Sequence, residues 1–184
     1  MGQGAWRRAQ AIALRLTFKS IKGLLLWQRG LPLLSPFQHA AARFDRIKSA
    51  LRASDDADLL EGCVQVVGLG PGLTPSGDDF LGGLFFALGC SPDWQANSRF
   101  ERLRAALILR TTAIEPMLTN PISYALMLDL MHQSSYQPVH ELLEALGRAD
   151  EDAVLASCEA MMQIGSSSGH DILAGILTAL TYDK

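Results

Sequence analysis

The chain has 184 residues, 48% of them hydrophobic, which suffices for one well-formed core and excludes wholesale disorder. Its net charge of −3 conceals a split: residues 1–52 hold ten Lys/Arg and one acid, residues 53–184 six Lys/Arg and 18 acids. That split points either to a basic interacting arm or to two halves of one fold facing each other, and no nucleic-acid-binding motif accompanies it.

In chain order, residues 5–28 have helix-forming content without an internal proline, and Gly30-Leu31-Pro32 and Ser35-Pro36 then punctuate the chain. Phe37, Ala40, Ala41, Phe44, Ile47 and Leu51 recur at helical spacing, so a second helix is expected from Pro36 to Leu51. Ser54-Asp55-Asp56 is a good N-terminal cap for a short helix through Cys63, and Val64 to Val67 reads as a short extended piece. After a glycine-rich loop, residues 77–89 read as a helix apolar all round, hence buried. Ser91-Pro92-Asp93 starts another loop, and residues 97–113 read as a helix with Leu103, Leu107 and Ile108 inward. Asn120-Pro121 and Gln137-Pro138 each open a helix with proline in its first turn, and Asp150 caps one to about Ile164. A terminal helix runs to Leu180. Strand signals are scarce, so the expected class is mainly α: a multi-helix bundle, with a basic region 1–53 ahead of a domain 54–184.

The longest run of low polarity, Phe80 to Cys90, is about half the roughly 20 residues of a membrane-spanning helix, so no membrane association is expected. Cys63, Cys90 and Cys158 have no metal-like spacing and are odd in number, which reads as reduced thiols in the cytoplasm. His39, His132 and His140 are isolated and read as structural.

The densest information lies in Gly68-Leu-Gly-Pro-Gly-Leu-Thr-Pro-Ser-Gly-Asp-Asp-Phe-Leu-Gly-Gly83. A second copy, Ser166-Ser-Ser-Gly-His-Asp-Ile-Leu-Ala-Gly175, stands 92 positions later, pairing Ser76 with Ser168, Gly77 with Gly169, Asp79 with Asp171 and Gly83 with Gly175. Two pseudo-symmetric loop-to-helix units are therefore expected to converge on one site. The plain alternative is two capped helices: Ser76 or Thr74, and Ser168 or Ser166, would satisfy the amides that a helix start leaves unpaired. Gly70 and Gly72 allow backbone amides to approach a ligand, and Gly83 and Gly175 inside buried helices allow close helix-to-helix contact. Asp78, Asp79, His170 and Asp171 would then gather at one pole. His170 is the histidine suited to acid–base work or to supporting Asp171. Adjacent carboxylates repel a bare anion, which leaves three readings open: a divalent cation such as magnesium, an arginine such as Arg110, or hydrogen bonds from a ligand's amide to the carboxylates.

The first motif, with Thr111-Thr112 and the segment Ser167 to Gly175, resembles the signature of the AllH-like family, named for a subunit of oxamate carbamoyltransferase, over residues 54–182. The resemblance implies a non-autonomous subunit of a carbamoyl-transfer enzyme in purine and allantoin catabolism, acting with other subunits on a small anionic carbamoyl compound. On that reading Asp79, Asp171 and His170 are the catalytic candidates. Gly70, Gly72, Thr74, Ser76, Gly77, Asp78, Thr111, Thr112, Ser168 and Gly169 are the ligand-binding ones. A non-catalytic assembly, regulatory or ligand-sensing subunit is the alternative.

Overall fold

Proline starts, capping carboxylates and left-handed turns cut the chain into eleven helices, with no strand among the described residues. The structure, a computed structural model, describes residues 1–35, 37–96, 98–113 and 118–182. The helices are α1 (Gln3–Arg15), α2 (Leu24–Gln28), α3 (Ala41–Ala53), α4 (Asp56–Val64), α5 (Ser76–Leu88), α6 (Pro92–Ala96), α7 (Arg99–Thr112), α8 (Pro121–Met131), α9 (Gln137–Arg148), α10 (Glu151–Met161) and α11 (Ser168–Thr181).

Two of them form the axis of the molecule. Every residue of α5 is buried, and so is every residue of α11 after the half-buried Ser168, as their largely apolar character requires. They pack on each other more extensively than any other pair, and glycine makes this possible. A Cβ on Gly83 would collide with the Ile172 carbonyl, and one on Gly175 with the backbone of Phe80 and Leu84. The helices cross backbone to backbone, which explains glycine where alanine would favour the helix by about 1 kcal/mol.

The flanking helices share a recurring scheme. α8 packs on α5 and α2 on α11, while α3 pairs with α4 and α9 with α10. α3 ends on Ser54 and α9 on Ala149, both left-handed, and the next residues, Asp55 and Asp150, cap α4 and α10 by accepting from Asp58 N–H and Ala153 N–H. After α4, the Gly77 amide donates to Leu69 O at 2.9 Å, and a Cβ there would strike the Val66 carbonyl. After α10, the Gly169 amide donates to Ile164 O at 3.0 Å, and a Cβ there would strike the Met161 carbonyl. Each glycine thus lets a buried helix start against the last turn of the preceding one.

Three elements depart from expectation. The helix expected over 5–28 is interrupted between Arg15 and Leu24, because Gly23 turns left-handed (φ 55°) and α2 starts on a carboxylate from α11. Val64 to Val67 is the end of α4 and then a turn, in which Val66 N–H donates to Cys63 O, rather than an extended piece. Ser91-Pro92-Asp93 leads directly into the short α6, whose Trp94 is buried. The expected helix start at Pro36 lies outside the described residues, and α3 begins at Ala41.

Residues of α1, α2 and α3, among them Trp6, Ile12, Leu24, Leu25, Phe44 and Ile47, join the same apolar core as α5 and α11. Trp27, Phe44 and Phe80 form a ring cluster with centroids 5.0–5.8 Å apart, tying α2 and α3 to α5. Arg15 pairs with Glu151 at 2.7 Å and Arg46 with Asp58 at 2.6 Å, so the basic front meets acidic helices within one fold. The Arg15–Glu151 pair is largely exposed and adds little stability.

Candidate functional site

The hydroxyls at the two helix starts do not cap their own helices. The N-cap of α5 is Pro75 and that of α11 is Ser167, and neither makes a side-chain capping bond. Instead the hydroxyls reach across the junction. Thr74 Oγ1 and Ser168 Oγ stand 2.9 Å apart, and the Ser168 and Ser76 hydroxyls act to lower the pKa of Asp79 and of Asp171, respectively. Each loop therefore supplies a hydroxyl to the carboxylate of the other.

The three aspartates differ in what they hold. Asp78 accepts from Gly68 N–H at 2.7 Å, Thr119 Oγ1–H at 2.5 Å and Ser123 Oγ–H at 2.6 Å. It clamps the glycine-rich loop to the start of α8. Asp171, 0% exposed, accepts from the Leu24 amide at 2.6 Å and so caps α2, while its other oxygen has no hydrogen-bond partner. A Cβ on Gly23 would overlap this carboxylate, which explains the glycine. Burial raises the Asp171 pKa to about 6, partly offset by Ser76, the Leu24 amide and Ser167.

Asp79 is 6% exposed, and the group that acts to lower its pKa is a side chain, Ser168, rather than a backbone amide. Burial raises its pKa to about 7; the Ser168 hydroxyl opposes this, and the charges of Asp171 and Asp78 reinforce it. One of its oxygens is buried without a partner. Asp79 also lines a cavity of about 430 Å³ together with Thr74, Ser168, Asp129, Ser134 and Ser135, with Leu126, Leu130, Ile164 and Ile172 as apolar walls. Ser135 Oγ is a second buried polar atom without a partner on this wall. A cavity lined by a carboxyl group titrating near neutrality and a cluster of hydroxyls can receive hydrogen bonds from an N–H donor and exchange a proton with it.

The other residues singled out in the sequence lie elsewhere or serve the chain itself. Gly77 and Gly169 are turned against backbone carbonyls rather than toward a cavity. Gly70 (φ 127°) turns tightly against the Ser76 amide and Phe37, and a Cβ on Gly72 would meet open space. Thr111 and Thr112 lie at the end of α7 and donate to carbonyls one turn back, Thr111 also lying 3.3 Å from Tyr124 Oη. Arg110 pairs with Glu61. His170 is buried with Nδ1 unpartnered, but lines a different cleft beside Lys19 and Lys22; burial and Lys22 lower its pKa. Among the described residues, no group of three or more His, Cys, Asp or Glu is arranged to hold a metal ion.

Sequence reasoning missed Asp129, Ser134 and Ser135. They come from the end of α8 and the turn into α9, where neither spacing nor glycine content distinguishes them from an ordinary polar loop. Among the described residues no helix is long and apolar enough to cross a membrane.

One family model, described as oxamate carbamoyltransferase subunit AllH, matches residues 66–180. That span runs from the carbonyl beneath Gly77 to the end of α11 and holds both loops, all three aspartates and the cavity wall. No curated protein and no solved structure matches the chain.

Proposed function

The chain belongs to the AllH family, and from that premise we propose that it is a non-autonomous subunit of a carbamoyl-transfer enzyme, holding a small carbamoyl compound in the Asp79 cavity. The observation that carries the reading is the contrast between the two paired aspartates. Each keeps one buried oxygen unpartnered, but Asp171 receives a backbone N–H from Leu24 on its other oxygen, whereas Asp79 lines a cavity. An amide N–H of a carbamoyl group offers Asp79 the same kind of donor that Leu24 offers Asp171. Thr74, Ser168 and Ser135 then orient the rest of the amide.

The two Ser-Gly-x-Asp corners act as one device, related by an approximate two-fold axis between α5 and α11. The reciprocal hydroxyl-to-carboxylate contacts and the matching glycine contacts support that relation. A carboxyl group near neutrality can both accept a hydrogen bond from the amide and pass a proton to a departing amide nitrogen. No lysine or arginine is among the described residues lining the cavity, and a partner chain that supplies cations at its mouth would complete it for the anionic end of such a compound. This is the physical ground for a subunit that does not act alone.

The test is reconstitution with the candidate partner subunits and assay of carbamoyl transfer. Asp79→Asn is expected to lower turnover by about 100-fold or more while complex assembly persists. Unchanged turnover in a complex that assembles normally would overturn the catalytic reading and leave a structural role.

A further inference from the structure

A second cleft, of about 840 Å³, lies where the segment between α1 and α2 runs past the turn that joins α10 to α11. Lys19, Lys22 and His170 line it with the hydroxyls of Ser20 and Ser166. Both lysines are exposed, and neither is in a salt bridge among the described residues. The one carboxylate among the described wall residues is Glu159. His170 is 4% exposed and its Nδ1 has no partner. Arg29 stacks on the wall residue Phe18 at 5.0 Å from the ring centroid, with Nε and Nη2 buried and unpartnered. Burial lowers the Arg29 pKa, as expected of a guanidinium without a nearby carboxylate. The cleft also borders the start of α11, whose N-cap Ser167 makes no side-chain capping bond.

Cations concentrated on one wall, hydroxyl donors beside them and the unpartnered Nδ1 of the buried wall residue His170 describe a receptor for an oxyanion. The contrast with the Asp79 cavity is chemical: that cavity has carboxylates and hydroxyls and no lysine or arginine among its described residues, whereas this cleft has two lysines and a histidine. Gly165 borders both, so the turn before α11 separates a site for N–H donors from a site for anions.

We propose that the cleft between residues 17–22 and the 162–170 turn is a binding site for a small oxyanion, phosphate or carboxylate, held by Lys19, Lys22, His170 and Ser166. The proposal is independent of what occupies the Asp79 cavity.

Titration calorimetry of the whole chain with inorganic phosphate, and separately with oxalate, tests it at constant ionic strength set by chloride. Saturable binding in the millimolar range or tighter is expected for at least one of the two, and the stronger arm identifies the anion class. The double variant Lys19→Ala/Lys22→Ala, altered at exposed positions, is expected to bind that anion about tenfold or more weakly with its circular dichroism unchanged. Asp79→Asn is expected to bind it as the wild type does, which separates this site from the carbamoyl cavity. Absence of saturable binding to the wild type, or equal affinity in the double variant, overturns the proposal.

Discussion

Asp78 and Asp79 are adjacent in sequence and opposite in their energetics. Asp78 satisfies three donors from two other parts of the chain. Removing it leaves the Gly68 amide and the Thr119 and Ser123 hydroxyls without an acceptor in a dry setting. Asp78→Ala is therefore expected to destabilise the fold by about 3 kcal/mol or more, measured as a lower urea midpoint. Asp79 behaves in the reverse sense. Its folded pKa of about 7 lies above the ordinary 3.8, so the folded state binds a proton that the unfolded state has released between those values. The Asp79 contribution to stability is then greatest at low pH and falls as pH rises from about 4 through about 7. Asp79→Asn removes the buried charge and most of that slope. It is expected to raise stability by about 2–4 kcal/mol at about pH 8 and to change little near pH 4, compared by urea denaturation at both. A residue that destabilises its own fold at neutral pH fits a retained function better than a packing role.

Among the helices, the α5–α11 crossing carries the architecture. A methyl group at Gly83 or Gly175 meets backbone on the facing helix, which has no rotamer to yield. Gly83→Ala and Gly175→Ala are each expected to cost about 2–3 kcal/mol, visible as a lower thermal midpoint despite alanine's better helix propensity. Both glycines were legible in the sequence, because glycine within an apolar helix asks for a close neighbour. So were the starts of α4, α8 and α10, where Asp55, Asn120 and Asp150 accept local amides. The break before α2 was not legible. Its cap is Asp171, 147 positions away, and a cap supplied by tertiary contact leaves no local pattern. The same holds for Ser76 and Ser168, whose spacing reads as self-capping but whose hydroxyls turn to the opposite loop. Thr74, Asp79, Ser168 and Ile172 of the paired motif line the cavity, while Asp129, Ser134 and Ser135 come from the end of α8 and a turn without a motif.

The molecule joins its basic and acidic parts in a single core whose buried polar groups concentrate near the α5–α11 junction. The thiols are governed by that core. Burial raises Cys63 and Cys158 to about 12, so neither supplies a thiolate near neutrality. Thiol labelling of the native protein is expected to leave both unmodified until denaturant is added; rapid native labelling of either would mean that α4 or α10 packs less tightly than described.

The proposed function stands or falls on Asp79, whose pKa burial raises to about 7 and whose carboxyl, in that proposal, receives the N–H groups of a carbamoyl ligand. Carbon NMR of the Asp79 side-chain carboxyl, titrated with and without oxamate, decides the matter. A resonance titrating near pH 7 that shifts when oxamate is added is expected. A resonance titrating in the ordinary aspartate range, indifferent to oxamate, would refute it.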